Sequence, residues 1–191
     1  MPQDLPVELF ADQSEFRTWL AAHHDSSPGL ELKMAKKSSA QTSIDYAQAL
    51  EVALCFGWID SRAKRIDDDW FVQRFTPRKP TSPWSKRNCD LVTALAEQGL
   101  LEPAGAVEVE RAKADGRWDR AYDGPKNAKM PDDFLEALSR SPEAAAFFET
   151  LNSQNRYAIF YRLQDAKRPE TRARRIEKFV QQLAEKRKFH D

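Results

Sequence analysis

The sequence predicts an α+β fold, a small and mostly antiparallel sheet packed with helices and followed by a helical C-terminal region. Three observations predict it. Leu30-Glu31-Leu32-Lys33-Met34 alternates apolar with charged residues, the period of a half-buried strand. The segment from Trp58 to Phe75 reads as two further strands that meet at Asp67-Asp68-Asp69. From Pro131 onward the apolar spacing is purely helical, ending with Ile176, Phe179, Val180 and Leu183 at i, i+3, i+4 and i+7. The chain accordingly divides into an α+β domain over residues 1–120 and a helical region over residues 121–191.

Each element has a local reason. Asp12 caps a first helix with Glu15 three residues on, and Phe16, Trp19 and Leu20 share its inner face. Asp25-Ser26-Ser27-Pro28-Gly29 ends that helix, and the Leu30–Met34 strand follows. A second helix starts at about Ile44, with Thr42 as its cap and Asp45 as the acidic half of a capping box. Tyr46, Leu50, Ala53 and Leu54 form one apolar face, which Val52, Cys55 and Phe56 widen, the pattern of a helix buried on several sides. Gly57 stops it, because glycine takes the left-handed conformation at no steric cost. Strands from Trp58 to Ile66 and from Trp70 to Phe75 complete the sheet.

Three prolines make Thr76 to Pro83 a stiff, basic loop. Ser85 caps the next helix, with Leu91, Val92 and Leu95 inward, and Pro103 opens another that runs to about Ala114. Trp118 to Met130 reads as a polar linker. Helices then open at Pro131, at Ser141-Pro142 and at Pro169, and Tyr157, Phe160 and Tyr161 mark one more between the last two.

Composition narrows the chemistry. Of the 191 residues 41% are hydrophobic and 31% charged, as in ordinary soluble domains, and no apolar run approaches the roughly 18 residues of a membrane span. The start, Met-Pro-Gln-Asp-Leu-Pro, has neither a basic n-region nor an apolar core, so a cytoplasmic location is expected. Cys55 and Cys89 lack metal-ligand spacing, and His23 and His24 diverge by about 100° on a helix. Six glycines include no phosphate loop, and no serine sits in a nucleophile motif. No metal or cofactor is expected.

The formal charge is zero, but its sign alternates: −5 over residues 1–60, +5 over 61–88, −5 over 89–166 and +6 over 167–190. The basic stretch 61–88 is also aromatic. Trp58, Asp60, Arg62, Trp70, Arg74, Arg78, Trp84 and Lys86 are therefore the candidate ligand-binding residues. Guanidinium groups suit phosphate or carboxylate, and aromatic rings suit bases or sugars. Strand parity puts Trp70, Val72 and Arg74 on one face and Phe71, Gln73 and Phe75 on the other. One reading is a pocket on which Arg62, Arg74, Arg78 and Lys86 converge, walled by Trp58, Trp70 or Trp84 and taking an anionic small molecule or polyanion. The other is that the aromatics fill the core while the arginines pair with Asp60 and Asp67 to Asp69. Asp60 has no second carboxylate at a fixed spacing, so no catalytic residue is assigned. The basic stretch from Lys167 to Lys188 reads as a docked amphipathic helix, with nucleic acid as its alternative partner and, less favoured because the apolar face lacks tryptophan, an anionic membrane surface.

Several blocks resemble the YdeI/OmpD-associated family, known for bacteriocin protection. They are Ala35-Lys36-Lys37, Tyr46-Ala47-Gln48-Ala49-Leu50, Cys55-Phe56-Gly57-Trp58-Ile59-Asp60, Gln73-Arg74-Phe75-Thr76-Pro77-Arg78 and Pro83-Trp84-Ser85-Lys86. Ala112-Lys113-Ala114-Asp115-Gly116-Arg117-Trp118 and Ala166-Lys167-Arg168-Pro169-Glu170-Thr171-Arg172-Ala173-Arg174-Arg175-Ile176 extend the match. The resemblance implies a role in tolerance of bacteriocins or cationic antimicrobial peptides, with a porin association and a periplasmic location for some members. It carries over no catalytic residue. A non-enzymatic binding or stress-tolerance protein is thus the expected function. The alternatives are an enzyme on a phosphorylated or sugar-containing small molecule and a nucleic-acid-binding protein.

Overall fold

Asp45 begins the most buried helix of the protein. Its carboxylate accepts the N–H of Gln48 while the Gln48 side chain accepts the N–H of Asp45, a complete capping box. The cap therefore lies three residues beyond Thr42, and Asp45 is the cap rather than its acidic partner. The computed structural model describes residues 5–125, 127–166 and 168–190. The first residues of the chain and Lys167, on which the expected lack of a leader and the start of the basic helix partly rest, lie outside them.

The contacts divide the chain into two units, one up to Ala121 and one from Tyr122. The first contains β1 (Val7–Glu8), α1 (Gln13–His23), β2 (Leu30–Ala35), α2 (Tyr46–Cys55), β3 (Trp58–Arg65), β4 (Trp70–Pro77), α3 (Lys86–Glu97) and α4 (Pro103–Ala114). The sheet has the order β1-β2-β4-β3; β1 runs parallel to β2 and the other pairs are antiparallel. The fold is α+β with a mostly antiparallel sheet and a helical C-terminal region. The two-residue β1 adds a fourth strand to the three foreseen, since two residues carry no readable periodicity.

One face of the sheet is the floor of the core. Leu30, Leu32 and Met34 stand opposite Phe75, Gln73 and Phe71, and Phe16 and Leu20 of α1 join the same core. Trp58 is fully buried, with its Nε1 donating to the carbonyl of His24 at 3.1 Å and Trp19 edge-on at 5.9 Å. Leu50, Val52 and Leu54 of α2 are buried as well, each stabilising the fold by roughly 1.5–3 kcal/mol. Gly57 has φ +73 and ends α2 as expected. Behind it α4 crosses so closely that a Cβ on Gly105 would lie 2.2 Å from the carbonyl oxygen of Cys55.

The second unit holds α5 (Asp132–Ser139), α6 (Pro142–Glu149), α7 (Ser153–Gln164) and α8 (Pro169–Ala184). Phe134, Leu138, Phe148, Ile159, Leu163, Ile176, Phe179 and Leu183 form its core. Past α8, Lys186 takes a left-handed turn at φ 56 and the chain folds back on the unit. The buried Asn155 accepts the N–H groups of Phe189 and His190 and donates to the carbonyl of His190.

Candidate functional site

Strand β4 is central, and its alternation sends Trp70, Val72, Arg74 and Thr76 to the face opposite the core. Across the ladder, Glu31 stands beside Arg74, Lys33 beside Val72 and Ala35 beside Trp70. On the other flank Lys64 pairs with Val72. Val72, with a lysine stem on either side, is only 5% exposed. A register shift between Asp60 and Ala63 turns Arg62 to this outer face. There its Nη2 lies 3.3 Å from Glu31 Oε1. Because β4 runs between β3 and β2, the Arg62 side chain must pass over β4 at the level of Arg74 to reach Glu31.

The outer face thus assembles Lys33, Arg62, Lys64 and Arg74 around the carboxylate of Glu31. Lys33 Nζ sits 4.3 Å from the centroid of Trp70, a cation–π contact. Arg74 is half-buried, and among the described residues no hydrogen bond or ion pair holds its guanidinium. A guanidinium in that position has only part of its hydration and, among the described residues, no acceptor. Lys33 was not among the residues singled out from sequence. The alternation in Leu30–Met34 already places it outward, but only the register with β4 puts it on Trp70.

The other sequence candidates stand elsewhere. Trp58 is fully buried inside the core. Asp60, on the core side of β3, accepts a 2.9 Å hydrogen bond from the Tyr46 hydroxyl. Burial, and then the Asp60 carboxylate, push the Tyr46 hydroxyl up to about 12. Arg78 and Trp84 are buried in the proline-rich loop after β4, with the guanidinium carbon 3.6 Å from the indole centroid. Arg78 Nη1 donates to the carbonyl of Pro83, and Arg117 Nη1 donates to the neighbouring carbonyl of Ser82. Arg117, itself held by Asp115, therefore shares the work of shaping this loop. Lys86 is exposed on the first turn of α3, whose cap is Ser85 as expected. The structure brings Arg62, Arg74 and Trp70 onto one surface, and Arg78 with Trp84 into another place. Of the hairpin aspartates, Asp68 takes the exposed Arg65 in an ion pair.

Two clefts open among the helices of the first unit. One of about 540 Å³ is bordered by Gln13, Glu51, Cys55 and Gln98, and one of about 480 Å³ by His24, Phe56 and Pro103. Arg17 borders both, bonded to Glu102 and to the carbonyl of Leu100, so it ties α1 to the segment entering α4. Burial raises the Cys55 thiol above its ordinary range despite the adjacent Arg17. Among the described residues there is no cluster of metal-ligating side chains, and no helix is long and apolar enough to cross a membrane.

No curated protein and no solved structure matches the chain. Two family models do. Residues 8–108, from β1 into α4, match a domain of unknown function, DUF8412, and this is more than half of the chain. Residues 127–186 match the family described as bacteriocin-protection, YdeI or OmpD-associated. The motifs of the first unit thus lie largely within one family model, and the Lys167–Ile176 block lies within the other. The chain belongs to the DUF8412 family through its sheet unit, and its helical unit is similar to the family described as bacteriocin-protection, YdeI or OmpD-associated.

Proposed function

We propose that the protein is a non-enzymatic, cofactor-free binding protein of the cytoplasm that serves bacteriocin or antimicrobial-peptide tolerance by holding an anionic ligand on the outer face of its sheet. The observation that carries the reading is the Arg74 guanidinium, half-buried on the central strand and without an acceptor among the described residues. Arg62 adds a charge that is readily redirected. It is 63% exposed, and exposed ion pairs such as that with Glu31 are worth little. The family description of the helical unit supports the protective role.

Titration with inorganic polyphosphate at low salt tests the binding. The wild-type protein binds with an affinity that falls as salt rises, and Arg74→Ala and Arg62→Ala each weaken it several-fold. Equal binding by wild type and Arg74→Ala, or no binding at all, sinks the reading. Expression in a sensitive bacterial host should raise survival in a cationic peptide, and Arg74→Ala should abolish the gain.

A further inference from the structure

We infer, resting on the anion-binding reading, that the outer sheet face takes single-stranded nucleic acid, with a base on Trp70 and backbone phosphates on Arg74, Arg62 and Lys64. Charge alone does not select this ligand; the position of Trp70 does. Its indole lies on the same face of β4 as Arg74, four residues away, or about 13 Å along the strand. One ring face is already engaged by a cation, the Lys33 ammonium at 4.3 Å. A base entering there displaces the ammonium, which then lies beside the adjoining phosphate. The surface thus offers a stacking ring and a line of cations together, the combination by which flat sheets hold single strands without reading sequence. A polyanion without rings uses the cations and leaves the indole idle.

Glu31 is set against these cations in the middle of the face, paired with the exposed Arg62, while Asp67 at the hairpin end acts on Lys33. The Glu31 side chain is 17% exposed against 63% for Arg62, so the guanidinium is the more exposed member of the pair. The arrangement also argues against a duplex. The aromatic ring lies within the face, where a base must be splayed out of its stack to meet it.

The test compares oligothymidine, inorganic polyphosphate and poly-glutamate on the intact protein and on Trp70→Ala, Trp70→Phe and Arg74→Ala, each confirmed as folded by circular dichroism. Trp70→Ala should weaken oligothymidine binding by about tenfold or more and leave polyphosphate binding unchanged, whereas Trp70→Phe should retain most of the affinity. The slope of log affinity against log salt should be about −2 for oligothymidine, as three phosphate contacts require, and shallower for Arg74→Ala. If polyphosphate binds through Arg74 but oligothymidine binding does not respond to Trp70→Ala, the nucleic-acid inference is overturned and the anion-binding reading stands. A preference for poly-glutamate over oligothymidine overturns it as well. If none of the three binds, both are wrong.

Discussion

The Arg172 guanidinium grips the Asp133 carboxylate with two parallel hydrogen bonds, Nε to Oδ2 at 2.6 Å and Nη2 to Oδ1 at 2.8 Å. Its remaining nitrogen, Nη1, donates to the carbonyl of Leu163 at 2.8 Å. One side chain on α8 therefore holds the first turn of α5 and the last turn of α7. This accounts for an arginine at that place in the Pro169–Ile176 block without any ligand.

The pair makes a prediction about acid. The bonds from Arg172 hold the Asp133 carboxyl below the ordinary carboxylate range. Its contribution is thus whole above the unfolded carboxylate's titration and is lost as pH falls through the lower folded value. Asp133 is 46% exposed, so solvent keeps the ion-pair contribution to no more than about 1 kcal/mol. Arg172→Leu should raise the pH at which the helical circular-dichroism signal is lost on acidification. Identical acid transitions would show that the clamp carries no stability.

Asn155 makes a second prediction in the same unit. Its amide oxygen takes two backbone N–H groups, at 2.8 and 2.9 Å, and it is 1% exposed. Asn155→Leu leaves those donors without their acceptor and should cost about 1–3 kcal/mol. It should also free the segment after Lys186 to proteolysis. A variant whose tail remains as resistant as the parent's would mean that Phe189, edge-on to Phe179, is the true anchor.

Trp58→Ala should cost about 3–5 kcal/mol, as aromatic truncations in cores do. Trp58→Phe refills most of the space but leaves the carbonyl of His24 without its indole donor, so a smaller loss is expected. Melting temperatures within a degree or two of the parent for both would remove this residue from the core.

Gly105→Ala should destabilise the first unit by about 1–3 kcal/mol, because the added methyl meets the carbonyl oxygen of Cys55 and α4 must withdraw. Denaturant midpoints decide it. An unchanged midpoint would mean that the two helices separate at negligible cost.

Neither thiol should react readily. Burial pushes Cys89 up to about 11 and raises Cys55 as well, so little thiolate is present at pH 8. An aromatic disulfide reagent should titrate no thiol rapidly in the native protein and both after unfolding. Fast labelling of one native cysteine would contradict its burial.

The elements were legible wherever a cap or a period was strong. Asp12, Ser85, Pro103 and Pro169 start helices where their chemistry suggests, and Gly57 stops α2. Thr42 misled because a hydroxyl three residues before an acidic residue resembles a capping box, while Gln48 closes a better one on Asp45. The proposed binding surface was legible only in part. Strand parity put Trp70 and Arg74 on one face, but cross-strand register is a property of pairing and decides that Lys33, Glu31 and Arg62 meet them there. Arg78 and Trp84 looked like ligand groups from their types alone. Burial inside a loop is set by packing that a linear pattern does not carry, and Arg117 became visible as a loop anchor only through the carbonyl of Ser82.

The strand order has a kinetic consequence. β3 and β4 are joined by a short turn and can pair soon after the chain begins to fold, whereas β2 must wait for the long loop containing α2 and β3 to close before it can lie against β4. The hairpin with its neighbouring helix is then the natural nucleus. Substitutions within it should slow folding, while substitutions along the parallel β1–β2 edge should chiefly quicken unfolding.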